Sequence, residues 1–376
     1  MKKLAGAFLI LLFIGYTAIY LSFQRIPVTD AFTEVASSGT ISDNKQLEKN
    51  LFDFINKNLL RNDGEIITNL QKYDGSSDTL SESVGFLMNY CVMTGKKELF
   101  DKEVAFLKNR MVVDGSYIKW RVGNNAANCN AAIDDLRIVR ALLDAYDKWG
   151  LREYLDLAGF VQLGLYNKQV IDRNLCELYD WVSDKTKPSV PLCYLDIYSI
   201  DRFSDFNTGW LSVEENALSV IKDGRISESS PFYYKYYNFD TASYSSDEEF
   251  KKGGGICLTY TLYTAIHLAE VNEDTSFLSE WLKKEMETGK LYAWYDPHSL
   301  KPVNTVESTA VYALAAAYAQ KTGEDVLCSR LLNSMKKFMV TDKTSGYYGG
   351  FGISKTRYFH SFDNLTALWA LALAGE

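Results

Sequence analysis

The apolar residues of this chain recur at a helical spacing along most of its length, and this pattern constrains the fold most strongly. The spacing i, i+3, i+4 and i+7 is clearest within residues 84–91, 138–145, 262–269 and 310–317. Less regular patterns predict seven further helices, over residues 46–61, 97–111, 151–167, 212–222, 275–288, 324–338 and 363–374. Alternation typical of strands is limited to residues 115–122 and 291–296. An all-α fold with eleven recognisable helices is therefore predicted.

The predicted helices also repeat in pairs. Glu82 and Ser83 open a helix that ends near Gly95, and Glu307 and Ser308 open one that ends near Gly323. Helical hairpins that repeat every 40 to 50 residues or so form a solenoid or a closed toroid. A toroid of six hairpins needs about twelve helices, close to the number counted, and its inner helices are apolar nearly all round. Residues 46–376 are therefore predicted to form a solenoid or, as the number of helices favours, a closed toroid of helical hairpins.

The first 27 residues have the character of a membrane segment. Two lysines precede an uncharged, mostly apolar run over residues 4–23, and about 20 such residues can cross a bilayer as a helix. No Ala-x-Ala pattern follows, which favours an uncleaved signal anchor over a cleaved signal peptide. The lysines would stay inside, so the domain would be extracellular. Residues 28–45 are polar and are predicted to be a tether; cleavage would instead give a secreted protein.

Composition narrows the choice of partners. A net charge of -8 and a pI near 5.2 argue against nucleic acid, which binds to basic surfaces. The six cysteines and three histidines are scattered, with no metal-binding spacing, so neither a metal nor a cofactor is predicted. Cys91 lies on the apolar face of its helix, as a buried thiol would. We expect a monomer that contacts the membrane through its N-terminal helix.

Carboxylates stand at the starts of two predicted helices, Glu82 at one and Asp134 with Asp135 at the other. Helix starts gather at one end of a toroid, where the loops form a groove. Hydrolysis of a glycosidic bond needs one protonated carboxyl and one carboxylate. Apolar neighbours can raise the pKa of Glu82 and make it the acid. The competing interpretation is a helix-start glutamate whose pKa the helix dipole lowers.

Aromatic residues are frequent in the predicted connections, where they can stack on sugar rings. They are Trp120, Tyr179, Trp181, Trp210, residues 232–237, Trp294 and Tyr295. The alternative is that a chain with 14% aromatic residues places some of them in loops without any such role.

Four motifs, in order along the chain, resemble those of glycoside hydrolase family 8. They are Ser81-Glu82 with Gly85, residues 130–149 around Asp135, Val190-Pro191-Leu192-Cys193-Tyr194, and Asn238-Phe239-Asp240-Thr241-Ala242. The resemblance spans most of residues 46–376. It implies an (α/α)6 barrel that cleaves a β-linked polysaccharide internally with inversion of configuration.

The resemblance also implies roles for individual residues. Glu82 would be the general acid and Asp240 the general base, and their carboxyls would lie about 6.5–9.5 Å apart. Asp135, with Asp134 beside it, would bind and distort the sugar. The groove would be lined by Trp120 and Tyr194.

Two positions depart from the family pattern. Ile133 stands where the family has the first of two aspartates, and Ser243 stands near the place of an arginine that follows the base. Asp205 and Asp247 are therefore alternatives to Asp240. These departures indicate a divergent branch whose substrate is neither cellulose nor xylan.

The sequence thus predicts a membrane-anchored extracellular endo-glycoside hydrolase that acts on an exopolysaccharide such as a biofilm matrix. Two alternatives stay open, since one fold hosts several functions. A polysaccharide lyase on a similar toroid would release products that absorb in the ultraviolet. A non-catalytic glycan-binding subunit of an exopolysaccharide system would keep Glu82 only as a helix-start residue.

Overall fold

The computed structural model describes residues 41–72, 77–246 and 254–375. The predicted anchor over residues 1–27 and residues 28–40 of the predicted tether lie outside them. The first helix begins at Ile41, five residues before the predicted start of the domain at residue 46. None of the helices in the described ranges combines the length and the hydropathy that crossing a bilayer requires.

Twelve α-helices form in the described residues, one more than the sequence predicted. They are α1 (Ile41–Asn58), α2 (Ser81–Thr94), α3 (Lys97–Phe106), α4 (Ala132–Trp149), α5 (Arg152–Gln169), α6 (Ile197–Arg202), α7 (Trp210–Asp223), α8 (Leu258–Glu270), α9 (Ser276–Glu285), α10 (Thr309–Lys321), α11 (Asp325–Met335) and α12 (Ser361–Leu373).

The even-numbered helices form a closed inner ring. Helix α2 packs against α4, and contacts continue from α4 to α6, α8, α10 and α12, which packs against α2 again. The odd-numbered helices lie outside this ring: α3, α5, α7 and α11 each pack against the inner helix before them, and α1 packs against α12. A hydrogen bond between Ser279 of α9 and Tyr318 of α10 attaches the remaining outer helix. This arrangement agrees with the predicted (α/α)6 barrel.

The inner helices are buried on nearly all sides, as predicted. In α10 every residue from Thr309 to Ala319 is buried. Six of these eleven residues are alanine, whose small side chain lets neighbouring helices approach closely from several directions. Outer helices bury one stripe, as an amphipathic helix on a globular protein does.

The sequence analysis missed α6, an inner helix of only six residues. Asp196 begins it, because its carboxylate accepts hydrogen bonds from the Ser199 amide at 3.1 Å and the Ser199 hydroxyl at 2.5 Å. A single 3₁₀ turn, Leu192–Tyr194, packs against α4 and α8 beside it. The short helix therefore leaves room for Tyr194 at the wall of the ring.

Short antiparallel strands organise the loops. They are β1 (Thr79–Leu80), β2 (Val112–Val113), β3 (Tyr117–Ile118), β4 (Arg121–Val122), β5 (Val170–Ile171), β6 (Asn174–Leu175), β7 (Tyr179–Asp180), β8 (Lys185–Thr186), β9 (Ser189–Pro191), β10 (Tyr236–Asn238), β11 (Ser243–Ser245), β12 (Ile256–Cys257) and β13 (Trp294–Tyr295). The pairs are β1 with β4, β2 with β3, β5 with β6, β7 with β8 and β12 with β13, and β10 lies between β9 and β11. The two predicted strand-like stretches contain β3, β4 and β13.

The six cysteines all lie in the described residues, and none is disulfide-bonded. Cys91 is fully buried, as predicted, and burial raises the pKa of its thiol. Five of these cysteines are buried and act as small apolar residues of the interior, whereas Cys129 is half-buried.

Candidate active site

The proposed acid lies at the open end of the inner ring, where the inner helices begin. Glu82 is the second residue of α2, and strand β1 leads directly into that helix. Pairing of β1 with β4 and a hydrogen bond from the Ser81 amide to the Trp120 carbonyl, at 3.0 Å, fix the first turn of α2. The Trp120 side chain is half-buried beside it, with the Arg121 guanidinium 4.6 Å from its ring centroid.

Glu82 is partly exposed to solvent at this end of the ring, a region that we call the cleft, but protein surrounds most of its carboxyl group. This desolvation raises the pKa of Glu82 to about 8, and the negative charges of Asp134 and Asp363 add to the rise while Arg137 opposes it. The pKa of Glu82 is therefore shifted in the direction opposite to the one that the helix dipole alone would give. A carboxyl with such a pKa keeps its proton at neutral pH, as a general acid must.

Asp134 is the carboxylate that the fold brings next to Glu82. Its side chain is buried at the start of α4, and its two oxygens have separate partners. One accepts a hydrogen bond from the Ser81 hydroxyl at 2.6 Å, and the other accepts one from the Arg137 guanidinium at 2.9 Å. Burial raises the pKa of Asp134, although Arg137 and Ser81 oppose the rise. These contacts tie the first turn of α4 to that of α2.

Asp135 occupies a different environment, one residue further along α4. It is fully buried and accepts a hydrogen bond of 2.5 Å from Asn130, which also bonds Gln169 of α5. Its other oxygen has no hydrogen-bond partner among the described residues, and burial raises the pKa of Asp135 well above its usual value. Of the two aspartates, Asp134 therefore contacts the surroundings of Glu82 directly, whereas Asp135 joins α4 to α5.

Tyr194, one of the two residues predicted to line the groove, lies near Asp134. Burial raises the pKa of Tyr194, and the charge of Asp134 contributes to the rise. Other aromatic residues that the sequence analysis assigned to loops belong to the core instead. Trp210, Phe232 and Tyr295 are fully buried, because their rings pack against other aromatic rings between helices.

Asp240 lies in the exposed turn between β10 and β11. The turn is held by Asn238, whose side-chain oxygen accepts hydrogen bonds from the amide and hydroxyl of Thr241. The charge of Asp240 acts on Cys176, whereas Glu82 responds to Asp134, Arg137 and Asp363. Its assignment as general base stays a prediction. Asp205 is exposed at the end of a 3₁₀ turn, and Asp247 lies outside the described residues.

Two residues near Glu82 were not predicted. Arg137 directly precedes the regular apolar pattern of residues 138–145, and the available signal in the sequence was its positive charge three residues after Asp134. Asp363 lies in the first turn of the last inner helix, and its carboxylate accepts hydrogen bonds from the Ala310 amide and the Ser308 hydroxyl. Its position at a helix start matches that of Glu82.

Asp196, His267 and Glu270 form a cluster with metal-ligand chemistry near the other end of the ring. Arg140 forms two hydrogen bonds of 2.9 Å with Glu270, and Lys321 lies 2.8 Å from the same carboxylate. Although burial raises it, these cations lower the pKa of Glu270 to about 2. The two positive charges balance the two carboxylates, so the cluster is an ion-pair network.

The geometry predicts how the pH dependence of activity changes in an Asp134→Asn variant. Activity of the wild-type protein should fall as the pH rises through about 8, where Glu82 loses its proton. Removing the negative charge of Asp134 makes ionisation of Glu82 easier, so this limb should move to lower pH by roughly one pH unit. A pH–rate profile measures the shift. Asp147→Asn, an exposed change on the same helix, is the control, and an unmoved limb in Asp134→Asn would contradict the assignment.

Comparison with known proteins gives a consistent result. Residues 26–244 match the family model for glycosyl hydrolases family 8. A Bacillus subtilis (strain 168) protein described as "Putative lipoprotein YdaJ" is 30% identical over 325 residues, which cover 84% of each chain.

Two solved structures extend this comparison. One is described as a novel alpha-amylase from Clostridium perfringens, with 30% identity, a TM-score of 0.80, and coverage of 87% of this chain and 97% of that one. The other is the endoglucanase Cel10 from Klebsiella pneumoniae, a family 8 glycosyl hydrolase. It is 15% identical with a TM-score of 0.60, covers 86% of this chain and 98% of its own, and shares the fold.

Proposed function

This chain belongs to glycosyl hydrolase family 8 and is a glycoside hydrolase, and we propose that it cleaves a β-linked polysaccharide internally with inversion. One observation carries the proposal. Glu82 is a partly exposed carboxyl at the open end of the ring, and its surroundings keep it protonated at neutral pH. Family membership sets aside the lyase and the binding-only alternatives.

The proposed reaction needs a proton donor and a proton acceptor on opposite sides of the sugar. Glu82 donates its proton to the glycosidic oxygen while the bond from this oxygen to the anomeric carbon breaks. A water molecule attacks that carbon from the opposite face and gives a proton to Asp240. Of the two aspartates assigned to binding the sugar before the scissile bond, Asp134 is favoured because it adjoins Glu82, whereas Asp135 is buried between α4 and α5. Trp120 and Tyr194 line the groove.

A second candidate substrate is an α-linked glucan. The solved structure with 30% identity is described as an alpha-amylase, and this likeness is greater than that to the endoglucanase. Ile133 and Ser243, which depart from the family pattern, also suit a branch with a different substrate.

An assay of new reducing ends decides between the two substrates. The panel comprises mixed-linkage β-glucan, carboxymethyl cellulose, xylan, chitosan and α-1,4-glucan. NMR of the first product gives its anomeric configuration: inversion at a β-linkage yields the α-anomer, and inversion at an α-linkage yields the β-anomer. Cleavage of the α-glucan alone would overturn the β-linked proposal, and retention would overturn the mechanism.

We also propose that residues 1–27 anchor the enzyme, that the polar segment from residue 28 to the start of α1 at Ile41 tethers it, and that the domain from α1 onward acts outside the membrane on the exopolysaccharide of the producing cell. The relative described as a lipoprotein supports a membrane location. Residues 1–90 contain no cysteine for lipid attachment, so the apolar run over residues 4–23 is the available anchor. Full-length protein should resist extraction from membranes by alkaline carbonate. Release by carbonate would contradict the proposed anchor. A matrix polymer that keeps its full length in the presence of the enzyme would contradict the proposed substrate.

A further inference from the structure

A cavity of about 580 Å³ lies inside the inner ring, behind the first turns of α2 and α4. Its deep wall includes Phe86, Tyr263 and Trp369, and charged residues such as Asp147 and Lys148 stand where it reaches the opposite end of the ring. Asp147 and Lys148 are exposed, so this end of the cavity is open to solvent. The cavity and the cleft that holds Glu82 thus occupy the two ends of one barrel.

Arg137 lies between the cleft and the cavity. Its guanidinium donates the hydrogen bond of 2.9 Å to Asp134 on the cleft side, and the residue also lines the cavity. The guanidinium carbon lies 4.4 Å from the ring centroid of Phe86 and 5.8 Å from that of Tyr263. Its side chain is only 12% exposed. Arg137 is therefore part of the wall between the cleft and the cavity, and aromatic rings fix its position.

Helix α2 is shaped to receive this side chain. Gly85 faces Arg137, and a Cβ atom at residue 85 would lie 3.1 Å from Arg137 Cδ and 3.3 Å from Cγ. Glycine is unfavourable inside a helix, so its presence at this position is explained by the space that Arg137 occupies. Asn89, one turn further along α2, donates a hydrogen bond of 3.1 Å to the Arg137 carbonyl.

We propose that Arg137 is a positioning residue for the hydrolysis, which holds the Asp134 carboxylate charged and oriented beside Glu82. The inference rests on the proposed function of Glu82. Two buried carboxyls without a cation share a proton, because neither ionises easily next to the other. A fixed guanidinium on the far side of Asp134 stabilises the charge there and leaves the proton on Glu82.

The charged and titratable groups around Glu82 and Asp134 determine the direction in which the pH–rate profile should shift when Arg137 is removed. Arg137 faces Glu82, Asp134 and Tyr263, and Asp363 faces Glu82 from α12. Asp135 and Tyr194 adjoin Asp134. Among the charges that act on Glu82, Asp134 and Asp363 favour the protonated form and Arg137 favours the ionised form. Loss of the cation therefore makes both carboxyls hold protons more tightly and moves the pH–rate profile to higher pH.

The central test compares Arg137→Ala with Arg137→Lys. We expect Arg137→Ala to lower kcat by about 10- to 100-fold, because a misplaced catalytic group costs this much. KM should change by less than about threefold, and the pH–rate profile should shift to higher pH by roughly one unit. Arg137→Lys keeps the charge and should leave the profile near its wild-type position. The matched control is Arg140→Ala, one turn along α4 and also beside the cavity, which should reduce stability and leave the profile unmoved.

Rescue by free guanidinium provides a readout that a merely structural arginine would not change. Removing the Arg137 side chain joins its volume to the cavity, which is open to solvent. Guanidinium chloride at roughly tens of millimolar, well below denaturing concentrations, should then restore part of the lost kcat. It should have no such effect on the wild-type protein or on Arg140→Ala. Unchanged kcat and profile in Arg137→Ala, with no rescue, would overturn the proposal.

A measurement that does not use activity separates this inference from the proposed function. NMR titration of glutamate labelled with ¹³C at the side-chain carboxyl follows Glu82, assigned by its loss in Glu82→Gln. The Glu82 titration should move to higher pH in Arg137→Ala even if no polymer in the panel is cleaved, and an unmoved titration would refute the role. If Arg137→Ala does not fold, Gly85→Ala displaces the same side chain by a few tenths of an ångström. It should then move the profile in the same direction, and an unmoved profile would also count against the proposal.

Discussion

Replacing Glu82 with glutamine should lower kcat on the polysaccharide by about 10²–10⁴-fold and leave binding unchanged, because glutamine cannot donate the proton that the departing oxygen needs. Steady-state kinetics and a binding isotherm on the same preparation measure both effects. A substrate whose leaving group is an activated phenol needs little protonation, so the variant should lose much less activity on it. An equal loss on both substrates would indicate that Glu82 has another role.

The matched control for this change is Glu307→Gln. Glu307 stands just before α10, as Glu82 stands at the start of α2, but it is buried and paired with Lys337 and Tyr312. Its replacement should reduce stability by breaking these contacts and should leave the leaving-group dependence of the rate unaltered.

Stability provides a second check on Glu82. Its pKa rises from 4.5 to about 8 on folding, so the folded protein binds this proton more tightly than the unfolded chain does. The free energy of unfolding should therefore decrease as the pH rises from about 4.5 to 8. Glutamine does not ionise, so Glu82→Gln should unfold at a higher temperature than the wild-type protein at pH 8 and at a similar temperature at pH 4. A variant that is less stable at pH 8 would contradict the assigned environment.

The second large effect is expected for Asp240→Asn. Loss of the proposed general base should lower kcat by about 10²–10⁴-fold, because the attacking water would keep its proton. Azide, which attacks without losing a proton, should restore turnover and give a glycosyl azide of inverted configuration. Product analysis by NMR identifies this compound.

Asp205→Asn and Asp247→Asn serve as controls for the base and should retain activity. If Asp240→Asn is as active as the wild-type protein, the base is a different residue. Asp363 is then the next position to change, because it faces Glu82 from the start of α12.

The helical ring was predictable from sequence because inner and outer helices leave different apolar patterns. The apolar period can be recognised where a helix has several turns, as in α4 and α10. Helix α6 has six residues, fewer than two turns, so no period can be recognised in it. Its existence depends on the cap from Asp196 and on packing against α4 and α8, which are properties of the folded ring.

The candidate active site was also predictable in part from the sequence. A carboxylate at a helix start is visible in sequence, so Glu82 and Asp134 were candidates before the fold was known. Sequence does not show which of two adjacent aspartates faces the cleft, because neighbouring residues on a helix point about 100° apart and the rotation of α4 decides. Arg137 was missed because its role depends on the space above Gly85, a contact between two helices.

Closure of the ring makes activity depend on α12, the last helix to be synthesised, because α12 contacts the first turns of α2. The Ser83 hydroxyl donates a 2.9 Å hydrogen bond to Ser361, so the residue after Glu82 is held by a helix made 278 positions later. Asp363 and the Trp369 ring, 6.0 Å from that of Phe86, come from the same helix. A chain that is still emerging from the ribosome lacks this side of the acid's surroundings. Hydrolysis therefore begins only after the last helix has docked, when synthesis of the whole domain is complete.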